Sequence, residues 1–360
     1  MAELNPLPVF WAEIEVRNDV DVSLVGHIAE TTAKELAFPR RRQAEARIVA
    51  TELAQNLVDH KTLDGRIRIT GTSLLGVPYL ITASLDKGSG FTDICLAMQD
   101  GATARNSFGI GLGTVSRLAD QMVYCSRLNG TSPCPDLGSE IIYKAIIAVE
   151  LWSDRACPPV PDTRGLDVSA LIRPFPGETL CGDAVHIKYD EDFTRIVLMD
   201  GTGHGCEAAE SVEEAVRALE NTDARYGLEM VFENVACAVS HTSGLGLTVM
   251  KLGHCEGTVE AAAVGNVESV LYIDGTRYAV SCQAGLLGRS TVKKLRTNSY
   301  KCNFHSLVFM YTDGQAPVYR FLPDKIEYSF PSLLWNQILF SPEKNISDDV
   351  SLMVWQWKKR

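Results

Sequence analysis

The chain has 360 residues, of which 46% are hydrophobic and 22% charged, as in soluble globular proteins long enough for two domains. Its formal net charge of −11 and pI near 5.2 argue against nucleic acid or another polyanion as the main partner. No apolar run approaches the ~20 residues that span a bilayer and no signal-peptide pattern is present, so we expect a cytoplasmic protein without a membrane partner.

The first forty residues predict a strand and a helix. Residues 10–16 have the composition of a strand, and apolar side chains at helical spacing mark a helix over residues 22–36, which Pro39 ends. The run Arg40-Arg41-Arg42 follows and is the only dense basic cluster of the sequence. We interpret this run as a solvated surface cluster.

The next predicted helix, about residues 43–59, has two different faces. Its apolar seam consists of Val49, Leu53 and Leu57. Glu52, Asn56 and His60 recur every four residues on another face, so Glu52 and Asn56 can point into one pocket. An asparagine oxygen suits Mg²⁺, and a glutamate one turn away can accept a proton from an attacking hydroxyl. For this helix alone, solvent-facing polar residues are the alternative interpretation.

Two glycine clusters come next. The apolar residues 79–85 predict a strand that delivers Asp86, followed by Gly88 and Gly90, where the backbone turns sharply or approaches a ligand. The second cluster has glycines at alternate positions and then apolar residues at helical spacing. These are Gly109, Gly111 and Gly113, with Leu112, Val115, Leu118, Ala119 and Met122. Glycines that open a helix expose unpaired N–H groups, which suit phosphate.

The second cluster matches neither of two common glycine motifs. A dinucleotide fingerprint needs its third glycine one residue later and a strand directly before the first. A Walker loop needs Gly-Lys-Ser/Thr, which the sequence lacks. Taken alone, the cluster can also mark turns and nothing more.

The three motifs together resemble a known ATP-binding fold. The order E-x-x-x-N on a helix, D-x-G-x-G after a strand and a glycine cluster opening another helix resembles the GHKL superfamily of gyrase, Hsp90, histidine kinases and anti-sigma serine kinases. Within it, the chain resembles the RsbT-like switch kinases over about residues 16–152, including MQDGATARNSFGIGLGTVSRLAD and GSEIIYKAIIAVELW. The resemblance implies a Bergerat-type α/β sandwich kinase domain over residues 1–153.

The same resemblance implies roles for the motif residues. Asp86 would hydrogen-bond the adenine amino group of ATP, and Gly88 and Gly90 would let the backbone approach the base. Asn56 would hold Mg²⁺ on the phosphates, and Glu52 would be the catalytic base. The phosphates would be cradled by Gly109, Gly111 and Gly113 beneath a mobile lid formed by residues 102–108.

Residues 154–165 are predicted to be a linker, because prolines and polar residues there break every periodicity. We expect a second domain over residues 166–360. The ten cysteines lack metal-type or paired spacing, so they indicate neither a zinc site nor a disulfide framework. We expect most of them to be small buried hydrophobic residues.

The second half carries scattered aspartates at predicted strand ends. Strands over residues 196–199 and 307–311 are followed by Asp200-Gly201 and Asp313-Gly314, Asp348-Asp349 precedes a strand over residues 350–354, and Gly182-Asp183 precedes another apolar segment. Carboxylates that converge from such positions cannot all stay ionised without cations. Oxygen ligands favour Mg²⁺ or Mn²⁺, and two such ions can activate water for attack on phosphate. Taken one at a time, each Asp-Gly is also a common hairpin turn.

This order of aspartates resembles the PPM-type serine/threonine phosphatases, in their short SpoIIE-like and RsbX-like branch. The segments that carry the resemblance are PGETLCGD, VLMDGTGHGCEAA, AAAVGNVESVLYIDG, FMYTDG and SDDVSLMV. The implied fold is an α-β-β-α sandwich, so the whole chain is expected to be an α+β protein of two domains.

The phosphatase resemblance implies a metal site for two Mn²⁺ or Mg²⁺ ions. Asp200 and the Gly201 carbonyl would lie between the metals, with Asp200 and Asp313 as catalytic residues. Asp313 and Asp348 would complete the ligands, and Asp183 would act near the second metal, through water. The adjacent Asp349 stays an alternative ligand to Asp348, although the family pattern favours the first of the pair.

Two further residues of this half have open roles. Arg173 lies near the region where the larger phosphatases carry an arginine that grips the substrate phosphate. His204 can assist proton transfer or only shape the DGTGHG loop.

The two resemblances predict a bifunctional bacterial regulator, an ATP-dependent serine/threonine kinase joined to a metal-dependent phosphoserine/phosphothreonine phosphatase. The implied partner is a STAS-domain antagonist or its phosphorylated form, in a partner-switching pathway that controls a sigma factor or another switch protein. The main alternative is a phosphatase whose ATP-binding domain only binds or regulates partners. A degenerate, structural phosphatase domain is a third possibility.

Overall fold

The computed structural model describes residues 9–74, 76–88, 90, 111–126, 143–156, 165–290, 294–322, 326, 328–341 and 348–357. Contacts divide the chain into two compact units. The first unit contains Phe10–Pro159 and Leu333–Ile338, and the second contains Met1–Val9, Val160–Ser332 and Leu339–Arg360. The predicted phosphate residue Gly109 and the predicted lid, residues 102–108, lie outside the described residues.

The first unit is one antiparallel sheet with helices packed on it. Its strands are β1 (Phe10–Glu15), β2 (Arg66–Leu74), β3 (Val77–Asp86), β4 (Gln121–Ser126) and β5 (Ala145–Trp152). They are hydrogen-bonded in the order β1-β2-β3-β5-β4. Its helices are α1 (Asp19–Glu35), α2 (Arg40–Asp59) and α3 (Gly111–Leu118).

The helices form because their ends and apolar faces suit them. Asn18 caps α1, accepting from the backbone N–H groups of Val20 and Asp21, while the Asp21 side chain accepts from the backbone N–H of Asn18. Buried side chains of α1, α2 and α3 then form one core with β2, β3 and β5. Its central members include Val25, Ala29, Val49, Leu53, Ile67, Ile69, Leu80, Val115 and Val149. This packing fixes which face of α2 is left for polar groups.

Three predictions for this unit were wrong in detail. Helix α2 begins at Arg40, not near residue 43, and α3 ends at Leu118, so Met122 belongs to β4. The interpretation of the basic run as a solvated cluster was wrong for Arg42, which is 6% exposed. A buried guanidinium needs partners, and two of those of Arg42, Asp120 and Trp152, are distant in sequence.

A buried ion-pair network joins α2 to the connection between α3 and β4. The Arg42 guanidinium contacts the carboxylates of Glu45 and Asp120 and donates 2.9 Å to the Trp152 carbonyl. Asp120 also accepts from the Trp152 backbone N–H at 2.7 Å and from Arg155 Nε at 2.9 Å. Arg155 in turn donates to carbonyls at the C-terminal end of α3.

The second unit has two sheets. Its strands are β6 (Leu166–Arg173), β7 (Asp183–Tyr189), β8 (Phe193–Gly201), β9 (Leu245–Gly253), β10 (Thr258–Val264), β11 (Glu268–Ile273), β12 (Thr276–Ala279), β13 (Cys282–Gln283), β14 (Asn298–Lys301), β15 (Ser306–Tyr311) and β16 (Val350–Trp357). One sheet has the order β13-β10-β9-β8-β7 with β14 also paired to β10, and the other has β12-β11-β15-β16-β6.

Two helices, α4 (Cys206–Asn221) and α5 (Leu228–Ala238), cover the six-stranded sheet of this unit. Val212, Leu219, Val231 and Val235 on the helices meet Val197, Met199, Leu247 and Val249 on the strands. The last described helix, α6 (Ser332–Leu339), starts in this unit, where the Ser332 N–H donates 2.9 Å to Asp167. The architecture is mixed α/β and rich in sheet, as the predicted α+β class requires.

The cysteine predictions were only partly right. Of the six free cysteines among the described residues, Cys302 is buried, whereas Cys206, Cys237, Cys255 and Cys282 are exposed. Cys125 in β4 is disulfide-bonded, which the sequence did not indicate. Among the described helices, none combines the length and apolarity needed to cross a bilayer.

Candidate functional sites

The polar face of α2 meets the start of α3. A Cβ placed on Gly111, the first residue of α3, would lie 3.2 Å from Glu52 Oε2 and 3.8 Å from Asn56 Oδ1. Glycine at this position therefore lets the α3 N-terminus approach both side chains. Gly113 lies buried in the first turn of the same helix.

Glu52 has a perturbed pKa and Asn56 has a buried donor without a partner in the described part of the chain, as residues of a ligand-binding site do. Burial, and secondarily the charge of Asp59, raises the pKa of Glu52 above its ordinary value. Asn56 Nδ2 is buried and has no hydrogen-bond partner among the described residues. Leaving such a donor unpaired is unfavourable, so a bound group that satisfies it would be stabilised.

Asp86 ends β3 and holds the following turn. It is 7% exposed, and its Oδ1 accepts from the Gly88 N–H at 2.7 Å. Burial raises the pKa of Asp86, against opposing effects of the Gly88 N–H and of His60. A Cβ on Gly88 would lie 2.9 Å from Asp86 Oδ1, and Gly90 has a φ of 75°, so both positions favour glycine.

The Glu52–Asn56 pair and the turn at Asp86 both lie along the polar face of α2, which we call its polar stripe. Glu52 and Asn56 face Gly111, whereas His60, which caps the helix one turn further, is close enough to Asp86 to affect its pKa. Eight residues of helix span about 12 Å. The structure thus brings Glu52, Asn56 and Gly111 together and places Asp86 with Gly88 toward the opposite end of the stripe.

The predicted phosphatase aspartates converge in the second unit. Asp200 in β8 is the register partner of Asp183 in β7. Asn266 Nδ2 donates 2.9 Å to Asp200 Oδ2 and 2.8 Å to Asp313 Oδ2, which links the ends of β8 and β15. Asp183 and Asp200 are buried, whereas Asp313 is exposed, so the cluster opens outward from Asp183.

The neighbouring aspartates at the start of β16 have different environments. Both carboxylate oxygens of Asp349 accept backbone N–H groups, from Phe175 and Gly182, at 2.8 Å each. Among the described residues, the hydrogen-bond partner of Asp348 Oδ1 is the N–H of Asp349, at 2.9 Å. Asp349 therefore fixes the backbone at Phe175 and Gly182, and Asp348 has the greater capacity to bind a further group.

Burial, joined in three of them by neighbouring like charges, raises the pKa values of four of these aspartates. Burial, followed by the charges of Asp313 and Asp348, raises the pKa of Asp200 to about 8. Burial and the charge of Asp200 raise the pKa of Asp183 well above its ordinary value. The pKa values of Asp348 and Asp349 are also raised, mainly by burial. Such a cluster stays ionised only with cations.

The residues present fit a divalent cation, although the ligands do not form a closed set. Within the described ranges, no three His, Cys, Asp or Glu side chains are already arranged as metal ligands. Asp183 Oδ2 accepts from Thr312 Oγ1 at 2.8 Å, but its Oδ1 is buried with no partner among the described residues. The donors are all oxygens, which suit Mg²⁺ or Mn²⁺.

Three other predicted residues have clear placements. A Cβ on Gly201 would overlap the backbone of Ala208 in α4, so glycine is required there. The His204 ring stacks on Phe175 at 4.0 Å, and its Nδ1 lies 3.5 Å from Glu178 Oε1, an arrangement that shapes the loop. Arg173 ends β6, in register with Val350 of β16.

Two residues of this site were missed by sequence reasoning, Asn266 and Thr312. Thr312 is fully buried between Asp183, to which it donates, and the Ser351 N–H, from which it accepts. Thr312 follows the strand predicted over residues 307–311, whereas Asn266 lies within the segment AAAVGNVESVLYIDG, and both segments already carried the phosphatase resemblance. Membership of those segments was therefore the available indication for each.

Comparison with known proteins gives two sequence relatives, while no family model matches the chain. Both relatives are bacterial proteins of serine/threonine phosphorylation. Phosphoserine phosphatase RsbX of Bacillus subtilis is 26% identical over 140 residues, 38% of this chain and 69% of RsbX. Serine/threonine-protein kinase RsbT of the same organism is 30% identical over 108 residues, 30% of this chain and 80% of RsbT. Over these 108 residues the chain belongs to the RsbT family.

Solved phosphatase structures also align with the chain. A crystal structure of RsbX in complex with magnesium has a TM-score of 0.47 and 21% identity, covering 55% of this chain and 98% of that one. The phosphatase domain of SpoIIE from Bacillus subtilis, with a fragment of its regulatory domain, has a TM-score of 0.44 and 13% identity. That alignment covers 78% of this chain and 80% of the chain in that structure.

Proposed function

We propose that this chain is a bifunctional regulator that phosphorylates a protein on serine or threonine and also removes such phosphates. Residues 1–153 would be a Bergerat-type ATP-binding kinase domain, residues 154–165 the linker, and residues 166–360 a PPM-type phosphatase domain. The sequence relationship to both RsbT and RsbX supports this pairing. A STAS-domain antagonist is the proposed substrate, in a partner-switching pathway.

The phosphatase half is carried by one observation, the convergence of Asp200 and Asp313 on the Asn266 amide beside buried Asp183. Asp200, the Gly201 carbonyl, Asp313 and Asp348 would hold two divalent cations, with Asp183 acting through water. Bound cations of this kind polarise a phosphoryl oxygen and lower the pKa of water. Asp349 would keep the β16 start in place through its two backbone hydrogen bonds.

The kinase half is supported by the polar stripe of α2. Asp86 would bind the adenine amino group at one end, where Gly88 and Gly90 allow close backbone approach. Asn56 would hold Mg²⁺, and Gly111 with Gly113 would cradle phosphate at the other end. The raised pKa of Glu52 favours its role as the group that accepts the proton of the attacking hydroxyl.

Paired point variants test the two assignments in the intact chain. Asp86→Asn should abolish binding of a fluorescent ATP analogue while Mn²⁺-dependent hydrolysis of a phosphoserine peptide persists. Asp200→Ala should do the reverse. Unchanged nucleotide affinity in Asp86→Asn would refute the ATP pocket, and unchanged hydrolysis in Asp200→Ala would refute the phosphatase site.

Transfer of radiolabelled phosphate separates a kinase from a partner-binding ATP domain. The intact protein with labelled ATP and a STAS-domain protein should label that protein, and Glu52→Ala should lose the label while still binding the ATP analogue. If the intact protein binds ATP but transfers no label, the first unit is a binding or regulatory module.

A further inference from the structure

The Asn266 side chain hydrogen-bonds two carboxylates, one in β8 and one just after β15. One nitrogen, Nδ2, donates to Asp200 Oδ2 at 2.9 Å and to Asp313 Oδ2 at 2.8 Å. The opposite amide orientation would place the Asn266 oxygen against two carboxylates, so the donor assignment follows from chemistry. The two carboxylate oxygens consequently lie within two hydrogen-bond lengths of one another.

The turn that carries Asn266 is fixed by glycines. Gly265 has a φ of 100°, and a Cβ on it would lie 2.6 Å from the Cα of Gly246 in β9. A Cβ on Gly246 would lie 2.6 Å from Asn266 Oδ1. The Gly265 N–H also donates 2.9 Å to the Gln283 carbonyl. Gly265 and Gly246 thus let their backbones pack closely, and this packing places the Asn266 amide beside the aspartate cluster.

Burial does not explain why Asn266 is held there. The residue is exposed, as is Asp313, so its hydrogen bond to that carboxylate replaces one that water can make. Asp200 and Asp313, however, are two carboxylates that accept from the same nitrogen, and at such a separation like charges repel one another. A donor shared between them opposes that repulsion and keeps both oxygens aimed at one point.

We propose that Asn266 is a positioning residue that holds Asp200 and Asp313 converged for a shared divalent cation. The inference rests on the proposed phosphatase function and adds a residue to it. Two Mg²⁺–oxygen bonds of about 2.1 Å each hold two carboxylate oxygens within about 4.2 Å of one another. The shared amide already limits the same oxygens to two hydrogen-bond lengths, so the cation has less distance to close. Without the amide, the carboxylates turn apart and the cation has to draw them together.

Titration calorimetry of the intact chain with MnCl₂ tests the proposal. Asn266→Ala should raise the Kd for Mn²⁺ about 10- to 100-fold, as loss of groups that orient metal ligands does. At saturating Mn²⁺, its KM for a phosphoserine peptide should equal that of the wild type. Asn266→Asp has nearly the same shape but brings a third carboxylate, so its Tm in EDTA should fall below that of Asn266→Ala.

Asn303→Ala is the matched control. Asn303 is also exposed and donates through Nδ2 to a single aspartate, Asp274, at 2.8 Å. Its loss should leave Mn²⁺ affinity unchanged. If wild type binds Mn²⁺ and Asn266→Ala binds it equally well, the inference is wrong while the proposed phosphatase stands. If wild type binds no Mn²⁺, the proposed metal centre fails and the inference fails with it.

Discussion

Glycines in both units occupy positions where a side chain would meet a neighbouring group. A Cβ on Gly111 would press on Glu52, and a Cβ on Gly182 would meet Ala208 and Asp349. The alternate spacing of the glycines was visible in the sequence, but the groups that face them were not. A glycine motif identifies where the backbone comes close to something, and only the fold identifies what that is.

Gly111→Ala separates nucleotide binding from stability. The new Cβ would lie 3.2 Å from Glu52 Oε2, so either Glu52 or the start of α3 has to shift. We expect weaker binding of the ATP analogue, by about tenfold for each ~1.4 kcal/mol lost. Alanine favours a helix over glycine by roughly 0.5–1 kcal/mol, so the midpoint of urea unfolding should not fall.

Gly227→Ala is the control for this variant, since a Cβ there meets nothing within 4 Å. It should leave ATP affinity unchanged. Equal affinity in Gly111→Ala and wild type would show that the α3 start does not contact the nucleotide.

At the level of elements, α2 is held by a buried charge as well as by its apolar seam. Arg42 lies in its first turn and reaches Asp120, which directly precedes β4. The side chains of Arg42 and Asp120 are only 7% and 4% exposed. Removal of Asp120 leaves the buried Arg42 charge with Glu45 as its remaining carboxylate and takes the acceptor of the Trp152 N–H, a larger loss than the pair's net contribution to stability.

Asp120→Ala should therefore lower the free energy of unfolding by about 3–5 kcal/mol, measured by urea denaturation. Arg155 also contacts Asp120, and its side chain is 45% exposed. Arg155→Ala should cost well under half as much, because solvent screens that charge. A loss below about 1 kcal/mol in Asp120→Ala would show that the pair is not structurally important.

The sequence predicted elements better than their ends and their buried polar links. The helices around residues 22–36 and 43–59 and the strand ending at Asp86 follow from apolar periodicity, and the structure contains all three. Periodicity continued from Leu118 to Met122, so the start of β4 was missed. The roles of Arg42, Asp120 and Asn266 depend on partners 47 to 78 positions away, which local patterns cannot encode.

For the whole molecule, the acidic cluster of the second unit opposes its own fold when no cation is present. The chain already carries a net charge of −11, and Asp183 is buried beside Asp200 with one oxygen unpaired among the described residues. A ligand that binds only the folded state stabilises it in proportion to the logarithm of its concentration over Kd. The proposed cations would thus contribute to stability as well as to activity.

Thermal unfolding of Asp183→Asn tests whether the buried carboxylate destabilises the fold without metal and stabilises it with metal. Without metal, removal of one buried charge should raise the Tm by a few degrees, about 2–4 °C per kcal/mol for a unit of this size. The further rise on addition of MnCl₂ should be smaller than in wild type. Asp167→Asn, at a carboxylate that accepts from Ser332 and Gln356, should not raise the metal-free Tm. A lower metal-free Tm in Asp183→Asn would contradict the account.

The position of β16 has a consequence for how the protein is made. This strand lies between β15 and β6, and Val350 pairs with Arg173. At about 5–20 residues per second, a ribosome needs roughly 10 to 35 s to proceed from one to the other. During that interval β6 has been synthesised without β16, the strand it pairs with, and Asp348 has not yet been added to the chain. Completion of the sheet and completion of the aspartate cluster therefore coincide, because both need the segment that contains Asp348 and β16, so the second unit gains its fold and its proposed chemistry in the same step of synthesis.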